Sequence, residues 1–166
     1  MNAPAPPGYS ALRETEGYIA LSGPYFWAKD TLGDFTYGFH SDDRHGNPNG
    51  VLHGAAIVTF VDTILGHTVV ATTGHRCATI ALDSQFVAAI RTGQWIDGRT
   101  RIRKLTKTLA FLDAEASSGE TLLLTATAIF RVFPGAETSL GNAGPLLGGR
   151  NGKQGKLSKL RGALSH

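Results

Sequence analysis

Asp62 is the one residue between Val51 and His75 that carries a negative charge, and this stretch contains no Lys or Arg. A carboxylate in an apolar segment must find a polar partner, lose its charge or lie at a working surface. At a working surface it could act as a nucleophile or as a general base that activates water. A carboxylate that is merely satisfied by a Thr or a backbone N–H is the structural alternative. Asp62 is therefore the first catalytic candidate.

Gly54 lies eight residues before Asp62, where the apolar stretch begins to read as a helix. The first N–H groups of a helix have no partner within the helix, and the helix dipole is positive there. Because glycine has no Cβ, a carbonyl oxygen could approach the Gly54 N–H closely. Hydrolysis at a carbonyl carbon needs a base or nucleophile at that carbon and a donor at its oxygen. Asp62 and Gly54 could supply these two functions.

The spacing of Gly54 and Asp62 prevents them from acting together within one chain. Eight helical residues separate them by about 12 Å, whereas an attacking oxygen and a carbonyl oxygen lie within about 3–4 Å. Either the site is shared between two chains or the catalytic interpretation fails.

The elements that must position these residues are a long helix and the strands after it. The pattern predicts a helix from about His53 to Thr72, with Gly74 as a plausible end. This helix is apolar nearly all round, so other structure must wrap it. Three β-like runs follow, near 78–90, 98–117 and 121–133, and residues 117–120 resemble a hairpin turn.

Small alanines on one face of the later runs would let a sheet approach the helix closely. Residues 17–40 predict one or two strands or a short helix. We therefore expect an α+β fold in which an antiparallel β-sheet wraps one long central helix.

The run Asn47-x-x-Gly50-x-x-His53-Gly54, followed eight residues later by Asp62, resembles the signature of the PaaI-like hotdog-fold acyl-CoA thioesterases. The resemblance spans roughly residues 35–133 and includes the order of elements. A later segment, Lys107-Thr108-Leu109-Ala110-Phe111, also looks like one that some members carry. One position departs from the family, because Ala55 stands where a second glycine is usual.

The resemblance implies a hotdog fold and hydrolysis of acyl-CoA thioesters at a site between two subunits. Asp62 would be the nucleophile or general base of one subunit, and the Gly54 N–H of the other would polarise the carbonyl. Asn47 would orient the attacking water or the carboxylate. His53 is included as a site residue, although we favour a role in holding the loop over proton transfer. The implied assembly is a homodimer at least, and we expect a homotetramer.

Two other functions fit the same scaffold. A non-catalytic acyl-CoA binder or sensor would not need a carboxylate beside the thioester, so the presence of Asp62 favours catalysis. A hydratase or dehydratase of acyl thioesters would need an Asp five residues before the His, and this chain has Pro48 at that position.

Composition sets the remaining expectations. A chain of 166 residues with 42% hydrophobic residues fits one globular domain. We assign residues 1–16 to a flexible N-terminal segment, 17–134 to the hotdog domain and 135–166 to a Gly-rich basic tail that we expect to be disordered. Five of the sixteen Lys and Arg residues lie in that tail against one acid, which leaves 11 basic and 12 acidic residues before it. The part of the chain before the tail is therefore close to neutral, which argues against nucleic-acid binding.

We further expect a cytoplasmic protein without a membrane span, a resident cofactor or a metal. Coenzyme A would be part of the substrate. The single Cys77 cannot form an intrachain disulfide, and the first residues lack the pattern of a signal peptide. The loop that contains His40, Asp42, Asp43 and His45 could in principle bind a metal, but loops rich in Asp and His are common.

Overall fold

The computed structural model describes residues 4–12 and 17–137. These ranges contain a long helix, a short helix, one 3₁₀ turn and seven strands. In chain order the elements are β1 (Ser10–Ala11), α1 (Gly17–Ser22), β2 (Phe26–Lys29), β3 (Phe35–His40), a 3₁₀ turn (Asp43–His45), α2 (Gly54–Thr73), β4 (His75–Phe86), β5 (Trp95–Leu105), β6 (Leu109–Ser118) and β7 (Thr121–Glu137).

The strands form one sheet in the order β1-β2-β3-β5-β6-β7-β4, and every neighbouring pair is antiparallel. Strand β4, which follows α2 directly, lies at one edge of the sheet. The sheet curves around α2, as the apolar pattern of that helix requires. The predicted architecture of a long helix wrapped by an antiparallel sheet is thus present.

The bounds of α2 follow from its two end residues. The Nδ1 atom of His53 accepts a hydrogen bond from the Ala55 N–H at 3.0 Å, so His53 caps the first turn. Gly74 has a φ of 72° and donates its N–H to the Val70 carbonyl, which ends the helix in the left-handed conformation that glycine adopts readily. The predicted and observed bounds differ by one residue at each end.

The core consists of α2 side chains packed against small residues of the sheet. The buried inward-facing alanines of β6 and β7 are Ala110, Ala114, Ala116, Ala126 and Ala128. Gly98 of β5 marks the closest approach, because a Cβ there would lie 2.6 Å from Ile64 Cδ1 and 2.7 Å from Phe60 Cζ. The predicted close approach of sheet and helix is therefore present.

The strand prediction needs one correction. The run 98–117 was expected to be continuous, but it forms two strands, β5 and β6, joined by a tight turn. The hydroxyl of Thr106 accepts hydrogen bonds from the N–H groups of Leu109 and Thr108, and the Thr106 N–H donates to the Leu109 carbonyl. Because a threonine closes this turn, the sequence lacks the usual Gly, Pro, Asn or Asp signal.

The ends of the chain are only partly described. Strand β1 lies within the N-terminal segment 1–16 and pairs with β2. Strand β7 continues to Glu137, three residues into the range assigned to the tail. The rest of that tail, residues 138–166, lies outside the described residues.

Helix α2 is long and apolar enough to cross a membrane by length and composition alone, with a mean hydropathy of 1.6. Here it is the helix that the sheet wraps, and half of its most apolar 18-residue stretch is buried inside the protein. A core helix meets the same criteria, and α2 has the surroundings of one.

Candidate active site

Asp62 lies in the wall of a cavity of about 560 Å³ between α2 and β4. One side of the cavity is a stripe of α2 that is not covered by the sheet. The short helix α1 contributes Tyr18 and Ile19, and β4 contributes Cys77, Thr79 and Leu82. A cavity of this size is typical of small-molecule sites.

Asp62 is held by a strand residue that no sequence motif singles out. Thr79 of β4 donates its hydroxyl proton to Asp62 Oδ1 at 2.8 Å. This bond orients the carboxylate and leaves Oδ2 without a hydrogen-bond donor among the described residues. Thr79 follows Asp62 by 17 residues and belongs to another element, so only tertiary structure brings the two together. We add Thr79 to the candidate site.

Cys77 lies beside Asp62 but is not a competing nucleophile. Burial, and to a lesser extent the charge of Asp62, raises the pKa of the Cys77 thiol to about 11. The thiol therefore stays protonated at neutral pH, and it points to the Gly66 carbonyl at 3.6 Å. A thiol in this state is a poor nucleophile, so Asp62 remains the candidate for a reactive group in this wall.

The first turn of α2 presents one free donor. His53 Nδ1 accepts from the Ala55 N–H, and the His53 carbonyl accepts from Ala56 and Ile57. No described residue accepts a hydrogen bond from the Gly54 N–H. The ring of Phe86 packs on Gly54, since a Cβ there would lie 2.9 Å from Phe86 Cε1. Phe86 is 58% exposed, so it can move when another molecule approaches.

Asn47 shapes the loop before α2 and keeps one donor free. Its Oδ1 accepts from the N–H groups of Asn49 at 2.9 Å and Val51 at 3.4 Å. Because two donors point at this atom, it must be the oxygen, and the Nδ2 atom has no acceptor among the described residues. The Asn47 side chain therefore stabilises the turn through its oxygen, and its Nδ2 could also donate a hydrogen bond to a molecule beside the loop.

The structure does not bring all of the predicted site residues together in one chain. Asn47, His53 and Gly54 lie at the N-terminal end of α2, and His53 lines a separate cavity of about 320 Å³. Asp62 lies two turns further along α2, about 12 Å away at the helical rise per residue. Within a single chain, therefore, Asp62 lies out of reach of the Gly54 N–H.

The edge of the sheet beside Asp62 is open. Within the described residues, β4 pairs only with β7, so its other edge has free backbone groups. Its exposed apolar residues, Ile80, Phe86 and the following Val87, are 57%, 58% and 56% exposed. An edge of this kind is suited to pairing with another strand.

His67 lines the same cavity as Asp62, five residues beyond it on α2. Burial lowers the pKa of His67 to about 4, so its imidazole is neutral at neutral pH. Its Nδ1 lies 3.0 Å from the Tyr37 hydroxyl, which in turn lies 2.7 Å from the Thr68 hydroxyl. The sequence interpretation of His67 as a satisfied histidine agrees with this network.

The Asp- and His-rich loop before Asn47 is held by its own hydrogen bonds. Asp42 caps the 3₁₀ turn and pairs with Arg44. His45 Nδ1 accepts from the Asp42 N–H, and His45 Nε2 lies 2.8 Å from the Ser22 carbonyl. Among residues 4–12 and 17–137, no group of three or more His, Cys, Asp or Glu side chains is arranged to hold a metal ion.

The chain is similar in sequence to proteins named as thioesterases and esterases. The sequence pattern of the thioesterase superfamily matches residues 49–125. A Pseudomonas aeruginosa protein, named provisionally as an esterase, is 29% identical over 129 residues, which cover 76% of this chain and 96% of that protein.

Solved structures share the fold. A phenylacetic acid degradation-related protein of Ralstonia eutropha, named provisionally as a thioesterase, has a TM-score of 0.63 at 24% identity and covers 73% of this chain and 96% of its own. A hypothetical thioesterase of Streptococcus pneumoniae with coenzyme A has a TM-score of 0.61 at 20% identity, over 69% of this chain and 88% of its own. The predicted hotdog fold is confirmed, and residues 49–125 are similar to the thioesterase superfamily, as the motif predicts.

Proposed function

We propose that the protein is an acyl-CoA thioesterase whose active site is shared between two subunits. Asp62 of one subunit acts at the thioester carbonyl, and the Gly54 N–H of the other binds the carbonyl oxygen. The observation that carries this proposal is that the chain has both reactive groups. Thr79 orients the Asp62 carboxylate in a cavity, and the Gly54 N–H at the start of α2 has no acceptor among the described residues. Thioester hydrolysis needs these two groups.

Hydrolysis proceeds by one of two balanced routes. As a general base, Asp62 takes a proton from water while the water oxygen bonds to the carbonyl carbon. The negative charge that develops on the carbonyl oxygen is stabilised by the Gly54 N–H of the other subunit. The C–S bond then breaks, and the thiolate of coenzyme A takes up the proton. As a nucleophile, Asp62 instead bonds to the carbonyl carbon, and the C–S bond breaks to release the thiolate of coenzyme A. Water then cleaves the mixed anhydride, which releases the free acid and restores the Asp62 carboxylate, and a proton from that water goes to the thiolate.

Asn47 and His53 support the second half of the site. The free Nδ2 of Asn47 is a donor that can orient the water or the incoming carboxylate. His53 Nδ1 is occupied by the Ala55 N–H, so its main role is to fix the first turn of α2, where the Gly54 N–H must point. Proton transfer by His53 Nδ1 would require that this cap be broken.

Pairing of two subunits through the open β4 edge would join the halves. The exposed Ile80, Phe86 and Val87 supply apolar surface for that contact. Phe86 lies both at this edge and on Gly54, so pairing there would also affect access to the Gly54 N–H. The homotetramer and the cytoplasmic location stay predictions.

A non-catalytic acyl-CoA binder is the second candidate. Proteins of this fold have been crystallised with coenzyme A, as the Streptococcus pneumoniae structure was. A binder, however, has no need of an oriented carboxylate with a free oxygen in the cavity. The Asp62–Thr79 pair therefore favours hydrolysis.

The direct test is release of coenzyme A from a panel of acyl-CoAs, followed with a thiol reagent. A reaction that contains the protein without acyl-CoA corrects for any reaction of the thiol reagent with Cys77. Asp62→Asn keeps the shape of the side chain but cannot act as a base, and we expect kcat to fall about 10²–10⁴-fold. Measurable binding of acyl-CoA with no turnover of any member by the wild type would establish a binder instead.

A further inference from the structure

Gly66 stands in the middle of α2, where glycine is an unfavourable choice. Glycine in a helix interior makes the helix less stable than alanine does, because the glycine backbone loses more conformational freedom on folding. Its φ is not in the positive region, so the backbone does not require glycine. A mid-helix glycine of this kind calls for a reason in its surroundings.

Packing within the chain does not supply that reason. A Cβ at Gly66 would have one neighbour within 4 Å outside its own helix and chain neighbours, Phe130 Cε1 at 3.6 Å, which is ordinary van der Waals contact. Gly54 and Gly98 differ, since a Cβ at either would come within 3.0 Å of an aromatic ring or an aliphatic side chain. The fold therefore has room for alanine at position 66.

The space that the missing Cβ leaves belongs to the Asp62 cavity. Gly66 lines this cavity and lies one helical turn after Asp62, on the same face of α2. The side chains that line the cavity are mainly apolar and include Ile19, Val58, Val70, Leu82 and Phe130. The imidazole of His67 is also neutral there, because burial lowers its pKa to about 4.

We propose that Gly66 determines acyl-group specificity, because the acyl group of the substrate lies over it in the cavity between α2 and β4. The substrate class is an acyl-CoA whose acyl part is apolar and larger than acetyl, such as an aromatic ring or a medium-length chain. This inference rests on the proposed function, since the thioester carbonyl must lie at Asp62 for the acyl group to reach Gly66.

Gly66→Ala tests the inference with little risk to folding. Alanine is the better helix residue and its Cβ fits, so the Tm should rise by about 2–4 °C. One methyl group in an apolar pocket changes discrimination by about 10–200-fold. We therefore expect kcat/KM for benzoyl-CoA and decanoyl-CoA to fall by about tenfold or more, while kcat/KM for acetyl-CoA stays near the wild-type value.

Two further variants separate specificity from general effects. Val70→Ala, one helical turn beyond Gly66, enlarges the same cavity and should shift the preference toward longer acyl groups. Thr72→Ala is the matched control, because it raises helix propensity on α2 at an exposed position that does not line this cavity. It should leave the ratio of decanoyl-CoA to acetyl-CoA activity unchanged.

A binding measurement tests this inference separately from the proposed hydrolysis. Calorimetry with the thioethers decyl-CoA and ethyl-CoA needs no turnover. Weaker binding of decyl-CoA alone by Gly66→Ala supports the inference even if no acyl-CoA is hydrolysed. An equal effect of Gly66→Ala on all acyl groups, or no effect on any, would overturn it while hydrolysis stands. Failure of the wild type to bind either thioether or to hydrolyse any acyl-CoA would overturn both.

Discussion

The hydroxyl of Thr79 lies 2.8 Å from Asp62 Oδ1 and donates a hydrogen bond to it, so an edge strand fixes the carboxylate of the central helix. One oxygen of Asp62 is thereby oriented, and Asp62 lies in the wall of a cavity of about 560 Å³. Asp62 is only partly buried, and its second oxygen accepts no hydrogen bond from the described residues, so that oxygen is available to a bound molecule.

Removal of the Thr79 hydroxyl should lower activity without unfolding the protein. Hydrogen bonds to charged groups contribute about 1.5–3 kcal/mol, so Thr79→Val should reduce kcat by about 10–100-fold. Thr79→Ser keeps the donor and should restore most of the activity. Steady-state kinetics on one acyl-CoA, with unfolding curves for each variant, measure both effects. Equal activity of the Val and Ser variants would show that this hydrogen bond does not position Asp62.

Loss of the His53 cap should affect the helix more than the chemistry. His53→Ala removes the acceptor for the Ala55 N–H and should lower the free energy of unfolding by about 0.5–2 kcal/mol. His53→Asn can cap the helix but cannot exchange protons near neutral pH, so its kcat should be close to that of the wild type. Urea unfolding and steady-state kinetics check the two variants. A kcat for His53→Asn as low as that for Asp62→Asn would instead assign His53 to proton transfer.

His67 should make the protein less stable in mild acid. Burial lowers the folded-state pKa of His67 to about 4, below its usual value, so the unfolded chain binds a proton first as the pH falls. Stability therefore decreases from about pH 6.5 down to about pH 4, by up to about 1.4 kcal/mol per pH unit from this residue.

His67→Gln removes this titration, so its unfolding free energy should change less between pH 7 and pH 5. Urea unfolding of both proteins at the two pH values gives the difference. Parallel losses in the wild type and the variant would show that His67 does not remain neutral in the fold.

Gly98→Ala should destabilise the contact that positions α2. The new Cβ would fall within 3 Å of Ile64 and Phe60, and overpacking of this kind costs about 1–3 kcal/mol. Arg99→Ala, on the exposed face of the same strand, is the control and should change little. Thermal unfolding measures both, and an unchanged Tm for Gly98→Ala would contradict the close approach of β5 and α2.

Much of the fold could be predicted because its signals are local. An apolar run with Gly74 behind it locates α2, and alternation locates β7. The division between β5 and β6 was missed because Thr106 closes the turn with its side chain. The short N-terminal elements carry weak patterns, and the pairing of β1 with β2 depends on contacts that no local pattern encodes.

The candidate site was predictable only in part. Asp62 and Gly54 stand out by charge and by position on one helix, so spacing alone places them in different halves of a site. Thr79 was missed because a threonine in a strand is unremarkable until the fold places it beside Asp62. The role of Gly66 was likewise hidden, because only the cavity shows what its missing side chain leaves open.

The shared site is tested most directly by mixed dimers of two inactive variants. Asp62→Ala removes the carboxylate. Gly54→Pro removes the N–H at a position where proline suits a helix, provided that Phe86 moves aside. Dimers with one subunit of each kind can be purified with two affinity tags. Each contains one intact site of two, so the account predicts about half of the wild-type kcat per dimer. Complete inactivity of mixed dimers that are shown to be folded would contradict it.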